Sequence, residues 1–191
     1  MLSLAIFGGT FDPVHNAHIT VAREAADAFH PARVLFVPAA QPPHKTGNTG
    51  ASFEDRFRMV ALACEADPRF EPSRLEEAER RSYSIVTIER VRAETGELPY
   101  FIIGADAFAE IGSWYRWQDV VAVADFIVVT RPGHDYSAPP GARVHRLDTL
   151  ALPVSSSEIR QQLAEGQVPR DLPPAVARYI AERGLYGWPR R

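Results

Sequence analysis

Short apolar runs alternate along this chain with longer segments in which apolar residues recur every three or four positions. This alternation predicts parallel strands connected by helices that cover both faces of a sheet. The apolar runs predict strands at residues 2–7, 34–37, 70–75, 100–103 and 126–130. Since neither a repeat nor a linker interrupts the pattern, we expect an α/β fold with a single-domain, doubly wound (Rossmann-like), mostly parallel sheet.

The periodic segments predict helices at 16–29, at about 53–66, around Ile85, Ile88 and Val91 up to Gly96, at 156–165 and at 174–183. In the first helix we expect Asn16 as the N-cap, and a buried stripe formed by Ile19, Ala22, Ala26 and Phe29. The last two helices give the fold a small C-terminal helical segment. Prolines and glycines predict a surface loop at 41–50.

Composition narrows the class of protein. The 191 residues are 46% hydrophobic and 24% charged, which is typical of a globular protein. A net charge of -3 supplies no basic field for nucleic acid, and no apolar stretch is long enough to cross a membrane. We therefore expect a cytoplasmic protein without nucleic-acid or membrane partners, and the sequence leaves a homo-oligomer open. Cys64 shares an apparent helix face with Phe57, Val60 and Ala61, so we expect a buried thiol.

The segment between the first strand and the first helix carries the strongest chemical signal. It reads Gly8, Gly9, Thr10, Phe11, Asp12, Pro13, Val14, His15, Asn16, Ala17, His18. Glycines let a phosphate approach the backbone, and the helix N-terminus offers unpaired N–H groups. His15 and His18 would lean toward the same anion. A tight turn with two surface histidines is the alternative; a zinc site is disfavoured because a structural site needs four ligands and the chain has one cysteine.

This motif resembles the phosphate-binding signature of the nucleotidylyltransferase superfamily. The resemblance implies that Gly8, Gly9, Thr10 and Phe11 bind ATP and that His15 and His18 act on its α-phosphate. The run from Val154 to Arg160 resembles the superfamily's C-terminal triphosphate element, with Ser156, Ser157 and Arg160 at the phosphates. Without the first motif, a serine run before a helix is equally typical of an N-cap.

Three further segments resemble bacterial nicotinate mononucleotide adenylyltransferases: Pro42-Pro43-His44-Lys45, Ser82-Tyr83-Ser84, and Gly104-Ala105-Asp106 with Trp114-Tyr115-Arg116-Trp117. The resemblance implies that Gly104 and Asp106 bind ATP. It implies that His44, Ser84, Trp114 and Tyr115 bind nicotinate mononucleotide. Lys45 joins His15, His18 and Arg160 as a catalytic candidate. For Asp106, a helix cap is the alternative.

The reaction implied is transfer of AMP from ATP to nicotinate mononucleotide, with Mg²⁺ carried by the ATP phosphates and no protein metal site. Two alternatives stay open. One is pantetheine-phosphate adenylyltransferase, which shares the reaction type but has Thr-x-Gly-His in place of His15, Asn16, Ala17, His18. The other is a non-catalytic nucleotide sensor of the same fold.

Overall fold

The computed structural model describes residues 3–40, 50–79, 81–130, 135–149 and 154–189. Within these ranges six strands form one sheet: β1 (Leu4–Gly9), β2 (Arg33–Pro38), β3 (Phe70–Pro72), β4 (Tyr100–Gly104), β5 (Asp125–Thr130) and β6 (Arg143–Asp148). The helices are α1 (Asn16–Phe29), α2 (Phe53–Cys64), α3 (Ser84–Thr95), α4 (Ala105–Ala109), α5 (Trp117–Ala122), α6 (Ser156–Ala164) and α7 (Pro174–Arg183). Short 3₁₀ turns lie at Ile111–Ser113 and Leu185–Gly187.

The strand order is β3-β2-β1-β4-β5-β6, and every adjacent pair is parallel. The chain winds outward in one direction from β1 to β3 and in the other from β4 to β6. Such a reversal opens a crevice at the carboxyl ends of the two central strands, where ligands of doubly wound proteins bind. The predicted doubly wound sheet is confirmed, and the crevice lies between the ends of β1 and β4.

Alternating strand residues build a core on each face of the sheet. Ala5, Phe36 and Ile102 belong to the core packed with α1, α2, α6 and α7. Their neighbours Ile6 and Phe101 belong to the core packed with α3, α4 and α5. Both faces of the central strands are buried, which explains why these strands are continuous apolar runs. The prediction of helices on both faces of the sheet is confirmed.

The predicted helix bounds at 16–29 and 174–183 are confirmed, but the start of α1 differs in detail. The N-cap is His15, so the assignment of Asn16 as the cap is wrong. Asn16 is the first helical residue, and its side-chain amide donates to the carbonyl of Arg170 at 3.3 Å. The buried stripe contains Ala25 in addition to three predicted members, while Phe29 is half-buried because it lies at the end of the helix.

The other predicted elements are present with small shifts. Strand β3 ends at Pro72, three residues earlier than predicted, and α2 ends at Cys64 rather than near 66. The thiol of Cys64 is buried as predicted, and burial raises its pKa to about 12. Its face of α2 is formed by Met59, Val60 and Ala63, whereas the predicted neighbours Phe57 and Ala61 are half-buried.

The sequence pattern missed β6, α4 and α5. Strand β6 is an edge strand with Arg143, His145 and Arg146, and Leu147 is its buried residue. The remaining residues of β6 are exposed or half-buried, so this strand lacks the apolar run that predicted the other strands. Helices α4 and α5 have five and six residues, too few to show a helical period. Over the described ranges, no helix has both the length and the apolar character that crossing a membrane requires.

Candidate active site

Strand β1 ends in two glycines, two residues later than the predicted end at residue 7, and the turn that follows closes over a buried aromatic ring. A Cβ on Gly9 would lie 3.0 Å from Cζ of Phe11, so a side chain there would displace that ring. Phe11 has φ 49°, a left-handed conformation that is costly for a bulky residue. Its ring is buried and packs against Phe7, Phe36 and His18, which holds the turn in this conformation.

The two histidines of the motif are stacked at the start of α1. His15 is the N-cap and His18 is the third helical residue, and their ring centroids are 3.7 Å apart. The backbone N–H of His15 donates to Nδ1 of His18 at 3.2 Å. The His-x-x-His spacing predicts two imidazoles on the same side of the helix start, and the local helix geometry brings them together there.

Burial keeps both imidazoles neutral at neutral pH. It lowers the pKa of His15 to about 4, against a smaller opposing effect of Asp171. The pKa of His18 lies well below 6.5 because of burial and because of the neighbouring His15. Since Nδ1 of His18 accepts a hydrogen bond, the neutral ring carries its proton on Nε2. His18 thus holds a fixed N–H donor of the kind that stabilises charge developing on a phosphate.

The C-terminal motif folds back onto this turn. Ser155 caps α6 by accepting a hydrogen bond from the backbone N–H of Ser157 at 3.2 Å. The hydroxyl of Ser156 donates to the carbonyl of Pro13 at 3.2 Å. The guanidinium of Arg160 donates to the carbonyl of Asp12 at 2.7 Å and to the hydroxyl of Ser157 at 3.1 Å. Two motifs separated by more than 140 residues therefore form one site.

A cavity of about 680 Å³ lies beside the β1 turn, in the crevice between β1 and β4. Predicted site residues on its wall are Gly8, Gly9, Thr10, Gly104, Ser84, Trp114 and Tyr115. Ser84 is the first residue of α3, whose N-terminus therefore opens at the cavity. The two predicted binding groups thus share one cavity: four residues assigned to ATP and three assigned to the mononucleotide.

Aromatic side chains form one end of this cavity. Trp114 is half-buried and meets Phe101 edge to face, with ring centroids 6.2 Å apart. Tyr115 is 57% exposed, and its ring lies 4.6 Å from that of Tyr83. A flat heteroaromatic ring stacks well on such faces. This end of the cavity is suited to a planar ring.

Nine predicted site residues, two of them outside the described residues, are not among the cavity-lining residues. Phe11, His15, His18, Ser156 and Arg160 instead lie together at the β1 turn, beside the cavity. His44 and Lys45 lie outside the described residues. Asp106 is exposed on the first turn of α4 and is not among the cavity-lining residues. The N-cap of α4 is Gly104, so the alternative of Asp106 as a helix cap is wrong. Ser157 is exposed at the start of α6 and reaches the site through Arg160.

Sequence reasoning missed two buried groups that hold the β1 turn. The carboxylate of Asp12 accepts hydrogen bonds from the backbone N–H groups of Gly50 and Ala51 and from the hydroxyl of Tyr186, at 2.7, 3.1 and 2.8 Å. Arg56 is 1% exposed and donates to the carbonyl of Thr10. Arg56 lies four residues before Val60 and eight before Cys64, which places it on the same buried face of the helix. A cationic residue on this apolar face is the sequence signal that could have identified Arg56.

Glu76 was also missed, although it lies on the cavity wall. It is buried, and its Oε1 accepts a hydrogen bond from the Thr87 hydroxyl at 2.5 Å. Its Oε2 has no hydrogen-bond partner in the described chain. No cluster of three or more metal-ligating side chains occurs in the described part of the chain. The oxygens of Asp12, beside the turn, are committed to the three donors named above, so the described residues do not form a cage for a divalent cation.

Comparison with known proteins identifies the family. The cytidylyltransferase-like family model matches residues 6–162. A protein of Solibacter usitatus named "Probable nicotinate-nucleotide adenylyltransferase" is 57% identical over 97% of this chain and 100% of its own length. A protein of Acidothermus cellulolyticus with the same name is 38% identical over 96% of this chain and 93% of its own.

Solved structures agree on the fold. Nicotinic acid mononucleotide adenylyltransferase of Plasmodium falciparum, complexed with NaAD, superposes with a TM-score of 0.83 at 19% identity, covering 100% of both chains. The same enzyme complexed with APC gives a TM-score of 0.81. The sequence matches, the shared fold and the joined motifs lead to one assignment: this chain belongs to the nicotinate-nucleotide adenylyltransferase family, within the cytidylyltransferase-like group.

Proposed function

We propose that this protein transfers the AMP group of ATP to nicotinate mononucleotide, giving deamido-NAD and pyrophosphate, a step of NAD biosynthesis. One observation carries the proposal. The β1 turn, with its two neutral imidazoles, is joined to Ser156 and Arg160 and adjoins a cavity that ends in aromatic rings. The arrangement provides a place for a triphosphate next to a place for a pyridine ring.

The reaction needs no protein nucleophile. An oxygen of the mononucleotide's 5′-phosphate attacks the α-phosphorus of ATP, and the bond from that phosphorus to the oxygen bridging to the β-phosphate breaks. Pyrophosphate leaves with the bond's electron pair. A phosphate monoester is already nucleophilic at neutral pH, so the protein contributes by positioning the reactants and by stabilising the charge of the transition state.

Each candidate residue has a role in this proposal. His15 and His18 donate hydrogen bonds to the α-phosphate, and Arg160, Ser156 and Lys45 hold the leaving pyrophosphate. Neutral imidazoles suit this role because they donate without needing a proton from solvent. The remaining ATP contacts come from Gly8, Gly9, Thr10, the backbone of Phe11, Gly104, Asp106 and Ser157.

The mononucleotide is held by Ser84, Trp114, Tyr115 and His44. Trp114 stacks on the pyridine ring, while the Ser84 hydroxyl and backbone N–H groups near Tyr115 donate to the ring's carboxylate. A hydrogen bond to a charged acceptor is about twice as strong as a neutral one, so the acid should bind better than the amide by about 2 kcal/mol. Nicotinate mononucleotide is therefore the preferred acceptor.

Nucleotidyltransferases generally use a divalent metal with ATP. We propose that Mg²⁺ binds this protein on the triphosphate oxygens, because the described side chains do not form a cage for it. The cation would neutralise phosphate charge when bound. Cytoplasmic location, a single-domain chain and a possible homo-oligomer stay predictions.

A pyrophosphate-release assay tests the proposal. ATP and Mg²⁺ are supplied with nicotinate mononucleotide, nicotinamide mononucleotide or 4′-phosphopantetheine in parallel. We expect the highest kcat/KM with nicotinate mononucleotide, about 30-fold above the amide if the charge-assisted bonds contribute about 2 kcal/mol. Preference for phosphopantetheine would overturn the acceptor assignment, and ATP binding without turnover on any acceptor would indicate a nucleotide sensor.

A further inference from the structure

Arg56 is the largest fully buried side chain of the described protein and lies directly behind the β1 turn. One guanidinium nitrogen donates to the carbonyls of Thr10 and Ala39, each at 2.8 Å. The other donates to the carbonyl of Ala40 at 3.4 Å. Thr10 and Ala39 lie on the cavity wall, so Arg56 holds two wall residues from the side away from the ligand space.

The charge of Arg56 is buried without a salt bridge in the described chain. Its hydrogen-bond acceptors are neutral carbonyls, and Nε has no acceptor. Burial lowers the pKa of Arg56, while Asp12 and Tyr186 raise it. Burying a cation without a paired anion is costly for stability. Asp12 is a buried anion whose charge acts on Arg56, and a polyphosphate bound at the turn would add further negative charge.

The bond to Thr10 also fixes the next amide. A peptide unit is planar and trans, so the carbonyl of Thr10 and the N–H of Phe11 point in opposite directions. Because Arg56 binds that carbonyl from behind the wall, the N–H of Phe11 is turned away from Arg56. No acceptor for this N–H is found among the described residues, and the side chain of Phe11 is buried. Within the described part of the chain, this N–H is therefore unpaired at the turn that we assign to the triphosphate.

We propose that Arg56 is a positioning residue for ATP, which orients the Thr10–Phe11 peptide so that the N–H of Phe11 binds a phosphate oxygen. The negative charge of the bound triphosphate would further stabilise the buried charge of Arg56. Arg56 does not touch the nucleotide in this account. The inference rests on the proposed function only in taking ATP as the ligand of the turn.

Three variants of the full chain test this role. Arg56→Lys keeps the charge but cannot span three carbonyls, and Arg56→Met removes the charge at similar length. Arg58→Met on the exposed side of the same helix is the matched control. For Arg56→Lys we expect kcat/KM for ATP to fall about 10²-fold, with KM for the mononucleotide within about threefold of wild type. Arg56→Met should lose more, and Arg58→Met should match wild type.

A purely structural role predicts a different pattern. Arg56→Lys would then lower the unfolding temperature while its kinetic constants for ATP stay unchanged, and the proposal would be overturned. If the wild type binds ATP but turns over no acceptor, the ATP affinities of the wild type and of Arg56→Lys are compared by calorimetry instead of by kinetics. The proposed function then fails while this inference is still tested.

A measurement on the wild type covers the case in which neither variant folds. Titration of ¹⁵N-labelled protein with a non-hydrolysable ATP analogue should shift the Phe11 amide proton downfield, as a new charge-assisted hydrogen bond requires. A Phe11 amide that does not shift at saturating analogue would overturn the proposal.

Discussion

His18 has two nitrogens with separate roles, and two substitutions can separate them. Its Nδ1 accepts the backbone N–H of His15, and its Nε2–H is the donor that we assign to the α-phosphate. In His18→Asn the side-chain carbonyl takes the place of Nδ1, but nothing replaces Nε2. In His18→Gln the amide reaches the position of Nε2, but the acceptor for His15 is lost.

The expected magnitudes follow from these two bonds. His18→Asn should keep the unfolding free energy within about 0.5 kcal/mol of wild type. Its kcat should fall about 10² to 10³-fold, which is the usual effect of removing one preorganised donor. This fall corresponds to a loss of about 3 to 4 kcal/mol of transition-state stabilisation. His18→Gln should lose about 1 kcal/mol of stability and retain a higher kcat than His18→Asn.

The assay combines urea unfolding with steady-state pyrophosphate release at saturating substrates. His30→Asn is the matched control, because His30 is exposed at the C-cap of α1 with φ 51°, a conformation that asparagine tolerates. It should leave both stability and kcat unchanged. A folded His18→Asn with kcat near wild type would refute the role of Nε2.

Three further predictions concern other parts of the site and core. Burial lowers the pKa of His15 from 6.5 to about 4, so the unfolded chain binds more protons than the folded protein between these pH values. His15 alone should therefore reduce the unfolding free energy by about 2 kcal/mol when the pH falls from 7 to 5. Urea titrations should show this loss in wild type and a smaller one in His15→Asn; equal losses would contradict it. Trp114→Ala should raise KM for the mononucleotide about tenfold with KM for ATP unchanged; an unchanged mononucleotide KM in Trp114→Ala would argue against stacking. Cys64 should be inert to a thiol reagent at pH 8 in the folded protein and reactive in urea, since burial raises its pKa to about 12; rapid reaction of the native protein would show an accessible thiol.

The local parts of the site were predictable from sequence. A strand, a glycine turn and a helix follow one another within the first 29 residues, so their geometry depends on near neighbours. The same holds for the serines that begin α6. That the β1 turn and the start of α6 lie together was predicted only through the family resemblance. No local pattern indicates that Arg160 contacts the carbonyl of Asp12.

The residues that hold the turn in place were not predictable in this way. Arg56 contacts Thr10 across 46 residues, and Tyr186 contacts Asp12 across 174. Such contacts arise from tertiary packing, which single-sequence periodicity does not encode. Edge strand β6 was missed for a related reason: its pairing with β5 comes from backbone hydrogen bonds, while its charged side chains resemble those of a loop.

The most direct test of the account is a crystal structure of this protein with a non-hydrolysable ATP analogue and nicotinate mononucleotide. We predict that an imidazole nitrogen of His15 or His18 lies about 3 Å from an oxygen of the α-phosphate, with the pyridine ring stacked on Trp114. A nucleotide bound elsewhere, with both imidazoles unliganded, would contradict the assignment of the β1 turn as the triphosphate site.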